Sequence, residues 1–224
     1  MLLAVTPTEP VFIGKNGMNT LDLVAHGPVI PVIVINRLED AVPMAQALVA
    51  GGVRVLEVTL RTSIALKCME AIARDVPGAI LGAGTVRSRA DAQAAKDAGC
   101  TFAVSPGYTS EIGRACTEIG LPLLPGTATG SEVMQANADG YFFLKFFPAM
   151  QAGGNPMLKA LAGPFTDVVF CPTGGISLAT APEFLALPNV KVCGGSWLTP
   201  ADAVAAKDWA RITTLAKEAS ALRA

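Results

Sequence analysis

Apolar positions along the chain fall into short runs that recur at a steady spacing. The runs are PVIPVIVI (28–35), VRVLEVTL (53–60), AILGAGTV (79–86), TFAVSPG (101–107), LPLLPGTA (121–128), YFFLKFFP (141–148), DVVFCPTGG (167–175) and VKVCGGSWL (190–198). Their starts lie 20 to 26 residues apart. Each gap holds a stretch with helical character, such as EDAVPMAQALVA (39–50) and SRADAQAAKDAG (88–99). Short apolar strands alternating with helices predict a parallel sheet covered by helices. With eight such units, closure into a (β/α)8 TIM barrel is the economical architecture, α/β in class. An open doubly wound sheet is the alternative, but no GxGxxG fingerprint follows the first strand. Residues 1–27 contain no complete βα unit and read as an N-terminal extension on a single 28–224 barrel domain. Within it, TLDLVAHG (20–27) could form a short helix capping the barrel, residues 1–17 read as a tail, and Met18 is an alternative start.

Composition narrows the class. The 224 residues are 51% hydrophobic and 16% charged, enough to bury a large core. A net charge of −1 gives no long-range attraction for nucleic acid or an anionic membrane, so an anionic substrate has to be held by local groups. Cys68, Cys100, Cys116, Cys171 and Cys193 are odd in number and form no CxxC pair, a pattern that suits reduced thiols. No apolar run is long enough to span a bilayer and the first residues lack a basic, leader-like start, so a soluble, cytoplasmic protein is expected.

Strand alternation then selects the candidate chemistry. In the second strand Leu56, Val58 and Leu60 share one face, and Glu57, Thr59 and Arg61 share the other. The apolar face belongs against the helices, so Glu57 and Arg61 should enter the barrel mouth together. A carboxylate there must be paired or functional, because burying it alone is costly. A structural ion pair of Glu57 with Arg61 or Lys145 is the plain alternative. In the sixth strand every near neighbour of Lys145 in FFLKFFPA (142–149) is apolar. Burial disfavours an ammonium and leaves more neutral amine to attack a carbonyl; a lysine snorkelling to the rim is the competing explanation. PTGGIS (172–177) and CGGSW (193–197) close the last two strands, where TIM barrels commonly bind phosphate through backbone amides, and Ser177 and Ser196 lie beside them.

Other residues read as structural. His26 is the only histidine, and no acidic cluster sits at strand ends, so a protein-built metal site is not expected. Thr129 and Glu132 read as a capping box, Trp197 and Trp209 as packing residues. Cys171 could line the barrel, with no histidine to activate it.

These residues, taken in order, resemble the bacterial 2-keto-3-deoxy-6-phosphogluconate (KDPG) and 4-hydroxy-2-oxoglutarate (KHG) aldolases. The likeness rests on residues 28–62, GAGTV (82–86), SPG (105–107), LPLLPG (121–126), LKFFPA (144–149), AGPF (162–165), FCPTGGIS (170–177) and GGSWL (194–198). It implies a class I aldolase with Lys145 as the Schiff-base lysine and Glu57 as general acid/base. It places Arg61 on the substrate carboxylate, Thr85 beside the keto acid and Thr173 near the substrate hydroxyls. Gly174, Gly175 and Ser196 fall on the phosphate, with Arg37 assisting. It also implies a homotrimer without a metal cofactor, acting on a phosphorylated 2-keto acid. The first 27 residues lie outside the likeness. An aldolase preferring the galactonate epimer or 4-hydroxy-2-oxoglutarate, and a phosphosugar isomerase or epimerase, are the rival functions; a barrel that binds a metabolite without turnover is a third.

Overall fold

The computed structural model describes residues 19–222. The expected tail (1–17) and alternative start at Met18 lie outside the described residues. Along the chain the elements are β1 (Val29–Ile33), α1 (Ala41–Ala50), β2 (Val55–Thr59), α2 (Ala65–Asp75), β3 (Ile80–Gly84), α3 (Arg89–Asp97), β4 (Phe102–Val104) and α4 (Ser110–Ile119). They continue through β5 (Leu123–Leu124), β6 (Gly126–Thr127), α5 (Gly130–Ala138), β7 (Phe143–Phe146), α6 (Gly154–Leu161) and β8 (Val169–Pro172). The series ends with α7 (Ala181–Leu185), β9 (Cys193–Gly195), α8 (Ala201–Ala205) and α9 (Trp209–Ser220). Every strand lies inside one of the eight apolar runs, and every strand pairing is parallel.

The strands form a curled parallel sheet in the order β5-β4-β3-β2-β1-β9 and a second one in the order β6-β7-β8. Two single bridges, Phe170↔Val190 and Thr173↔Gly194, connect β8 to the β9 segment. At the other seam the run 121–128 is one extended segment interrupted at Pro125. Its first half pairs with β4 (Ala103↔Leu123) and its second with β7 (Gly126↔Lys145). The break has a simple cause. Proline has no N–H to give to a ladder, whereas its carbonyl still accepts from the Lys145 amide at 2.8 Å. With helices alternating around it, the result is a TIM-barrel-like single domain.

Two apolar regions hold it together. The larger lies between strands and helices and takes the outward residues, including Leu56 and Val58 of β2 and Leu144 and Phe146 of β7. The smaller fills the strand interior with Ile30, Val55, Phe102, Val104, Leu124, Phe143, Cys171 and Val192. Leu23 joins this inner group from the 3-10 helix Thr20–His26, whose N-terminus is closed by an Asn19–Asp22 capping box. Helix starts are set locally: Ser88, Thr109, Thr129 and Asp208 each accept a hydrogen bond from an amide of the following turn. Thr129 and Glu132 form the expected capping box. Trp197 and Trp209 pack against the larger core. The last helix, α9, lies against α1, with Thr213 Oγ1 donating to the Ala47 carbonyl and Ser220 Oγ to that of Gly51.

Candidate active site

Alternation puts Val55, Glu57 and Thr59 of β2 on the inner face, as the sequence pattern requires. On β7 the same rule sends Phe143 and Lys145 inward and Leu144 and Phe146 outward. Neither strand neighbours the other, yet their two charged side chains meet inside. Lys145 Nζ donates to Glu57 Oε1 at 3.1 Å, across 88 residues of sequence. Lys145 is 4% exposed and Glu57 2%. The ammonium also lies 5.4 Å from the centre of the Phe147 ring. A buried ion pair gives little net stability, because desolvation offsets most of its attraction. The pair therefore makes poor sense as a staple and good sense as a reactive couple.

The Lys145 backbone is held by the 125–127 segment. Its amide donates to the Pro125 carbonyl, and its own carbonyl accepts from Thr127 Oγ1 at 3.4 Å. In β8, Cys171 is its register partner and faces the same interior. Burial pushes that thiol up to about 12, and the nearby Lys145 opposes the shift only partly. At neutral pH Cys171 stays a neutral thiol, a packing group rather than a nucleophile.

Arg61 lies beyond the end of β2, exposed, and its Nε donates to Thr85 Oγ1 at 3.3 Å. Thr85 has a φ of 64°. Left-handed backbone is costly for a β-branched residue, and such strain concentrates at functional sites. Thr173, buried, donates its hydroxyl proton to the Cys171 carbonyl at 3.3 Å.

The two glycine turns lie side by side, joined by the Thr173↔Gly194 bridge. Gly174 and Gly175 adopt φ values of 108° and 76°, which favour glycine. The carbonyls of Thr173 and Gly174 accept from the amides of Ala149 and Met150, which anchors the turn. Among the described residues, the amides of Gly174, Gly175 and Ser196 donate to no backbone carbonyl. Gly175 and Ser196 are exposed. Arg37 is exposed as well, but its Nε and Nη2 donate to Asp40 at 2.7 and 3.1 Å, so that carboxylate already engages its guanidinium.

Lys145 and Glu57 thus meet directly, Arg61 and Thr85 form a second contact, and Thr173 connects to the glycine turns. Among the described residues no group of three His, Cys, Asp or Glu could hold a metal ion. His26 ends the 3-10 helix Thr20–His26.

Strand periodicity gives no role to three positions that shape this site. One is Pro125, whose carbonyl receives the Lys145 amide. Another is Gly194, where a Cβ would lie 2.1 Å from Thr173 Oγ1. The third is Gly84, where a Cβ would lie 2.3 Å from Glu57 Oε1. Glycine inside a strand is the available signal for such close approach.

Comparison with known proteins identifies a family. A family model described as KDPG and KHG aldolase matches residues 21–215. The KHG/KDPG aldolase of Escherichia coli is 55% identical over 197 residues, covering 88% of this chain and 92% of that protein. The KDPG aldolase of Legionella pneumophila, solved with pyruvate captured at low pH as a covalent carbinolamine, is 49% identical with a TM-score of 0.86, covering 88% of this chain and 96% of that one. The 2-keto-3-deoxy-6-phosphogluconate aldolase of Zymomonas mobilis, solved with 3-phosphoglycerate, is 47% identical with a TM-score of 0.86, covering 90% and 95%.

Proposed function

The chain belongs to the KDPG and KHG aldolase family, and from that premise we propose a class I aldolase reaction in which Lys145 forms the imine and Glu57 moves the protons. The substrate is 2-keto-3-deoxy-6-phosphogluconate, cleaved to pyruvate and glyceraldehyde 3-phosphate; 4-hydroxy-2-oxoglutarate would give pyruvate and glyoxylate by the same steps. The observation that carries this reading is the buried 3.1 Å contact between an amine and a carboxylate on the inner faces of β7 and β2.

Lys145 Nζ, once neutral, attacks the C2 carbonyl to give a carbinolamine, which loses water to a protonated imine. The iminium then serves as an electron sink. Glu57 takes the C4 hydroxyl proton, directly or through water, the C3–C4 bond breaks, and its electrons form an enamine as the aldehyde departs. Glu57 returns a proton to C3 of the enamine, and hydrolysis of the resulting pyruvyl imine releases pyruvate and the free lysine. The carbinolamine of the Legionella pneumophila enzyme is the first covalent intermediate of this sequence.

The remaining roles rest on family likeness, and the geometry supports them. Arg61, steadied by Thr85, orients the keto-acid carboxylate, and Thr173 meets the substrate hydroxyls. The turn amides of Gly174 and Gly175, with Ser196, cradle the phosphate, and Arg37 assists from its pairing with Asp40. The 3-phosphoglycerate held by the Zymomonas mobilis enzyme, a phosphorylated three-carbon acid, supports the phosphate reading. The two bridges and the Pro125 seam support a full (β/α)8 ring for the 28–224 domain over its described residues, capped by the 3-10 helix that ends the 1–27 extension. No described helix is long and apolar enough to cross a membrane, and we place the enzyme in the cytoplasm. Family likeness supports a homotrimer.

Borohydride reduction with pyruvate, followed by peptide mass mapping, tests the assignment. A pyruvate-derived adduct on Lys145 is expected. Its absence from every lysine of folded protein overturns the Schiff-base mechanism and restores the phosphosugar isomerase alternative.

A further inference from the structure

On β3 the inner face carries Ile80, Gly82 and Gly84, while Leu81 and Ala83 face the outer core. Two glycines in a five-residue strand weaken it, and here each vacancy is filled by a neighbouring strand. A Cβ on Gly82 would lie 2.2 Å from the Phe102 ring, which comes from β4. A Cβ on Gly84 would lie 2.3 Å from Oε1, 2.7 Å from Cγ and 2.9 Å from Cδ of Glu57, which comes from β2. The Glu57 side chain therefore lies across the bare Cα of Gly84, and the contact reaches back to Cγ rather than touching only its tip. Phe102 takes the space over Gly82, so a displaced carboxylate has an aromatic ring on that side.

Three further contacts fix this corner relative to β2. The Leu60 amide donates to the Gly84 carbonyl at 2.9 Å, and Thr59 is in register with Gly84. The next residue is Thr85, with left-handed backbone and its hydroxyl on Arg61. One corner at the end of β3 thus touches Glu57 of β2 and, through Thr85, Arg61 just beyond it.

We infer that Gly84 is a positioning residue for proton transfer: the slot left by its missing side chain aims the Glu57 carboxylate at Lys145 Nζ and at the carbons bound there. This rests on the aldolase reading of Lys145 and Glu57. A methyl group at Gly84 shifts the carboxylate and separates two steps that are normally coupled. Imine formation needs Lys145 and survives, whereas protonation and deprotonation at C3 need the aimed carboxylate and slow.

The test is a double-mutant cycle with Gly84→Ala, Glu57→Ala and the pair together. Borohydride trapping of pyruvate on Lys145 and deuterium exchange of the pyruvate methyl group in heavy water are both measured. Gly84→Ala is expected to keep trapping while exchange falls by about 100-fold, the lower range of general acid–base effects. In the Glu57→Ala background the clashing atoms are absent, so adding Gly84→Ala should leave folding, trapping and exchange where Glu57→Ala put them. If Gly84→Ala is too unstable to assay, restored folding in the double variant supports the slot. Equal losses from Gly84→Ala in both backgrounds, or unchanged exchange in the single variant, overturn it. Failure of the wild-type protein to trap pyruvate would instead strike the aldolase reading itself.

Discussion

The two ends of the site are built by opposite means. At the reactive end, Lys145 and Glu57 stand in the middle of strands of different sheets, β7 and β2, buried and in contact. At the glycine end, Gly174, Gly175 and Ser196 sit in turns after β8 and β9 and present backbone rather than functional side chains. The difference suits the chemistry proposed for each end. Covalent attack and proton transfer need particular side-chain atoms held within a fraction of an ångström, and strands provide that rigidity. A phosphate accepts hydrogen bonds from any well-placed amide, so the backbone of a turn suffices. The reactive end should therefore fail abruptly on side-chain substitution, and the glycine end should fail gradually and only for phosphorylated substrates.

The largest effect separates the ends outright. Lys145→Ala should lower kcat for every substrate by roughly 10⁶-fold, the scale of removing a covalent nucleophile, measured in a coupled pyruvate assay. Appreciable activity in that variant would remove the Schiff base from the mechanism. Next, Glu57→Gln should still trap pyruvate with borohydride but lose about 10²- to 10⁴-fold in turnover. Equal loss of trapping and turnover would make Glu57 a structural partner of the lysine.

Arg61 tests where the boundary between the ends falls. Arg61→Ala should lower kcat/KM about 10- to 100-fold, as expected for a hydrogen bond to a charged group worth about 1.5–3 kcal/mol. The loss should be similar for phosphorylated and unphosphorylated keto acids; a loss confined to the phosphorylated substrate would move Arg61 to the glycine end. The smallest effect belongs to Gly175, where φ is 76° and a Cβ would lie 2.7 Å from Met150 Cγ. Gly175→Ala should raise KM for the phosphorylated substrate about 5- to 10-fold, corresponding to about 1 kcal/mol of strain. Kinetics on 4-hydroxy-2-oxoglutarate should stay unchanged. Equal effects on both substrates would place the turn outside the phosphate site.

How far the sequence could be read depended on the range of the interaction. The inward setting of Glu57 and Lys145 was legible because a strand repeats every two residues and the outward positions were uniformly apolar. The Thr129–Glu132 capping box was legible because it closes within one turn. Pro125 was visible as a residue yet was read as part of a continuous strand, since its effect depends on which neighbours the strand pairs with. Gly82 and Gly84 were equally visible, but nothing local says whose side chain fills the space above them. Likewise, Arg37 could be placed after the first strand, while its capture by Asp40 depends on how the Leu38–Asp40 turn folds back.

By itself, then, the sequence determined the alternating strands and helices, the face on which Glu57 and Lys145 lie, and the glycine turns that follow the last two strands. Those are consequences of local periodicity and backbone preference, which act over a few residues. Tertiary structure alone decided that Lys145 reaches Glu57 across 88 residues, that the fifth run splits at Pro125 between two neighbours, and that Gly84 gives its space to a carboxylate from the adjacent strand. Those depend on which strands become neighbours when the sheet curls, and close packing settles them only after the whole chain has assembled.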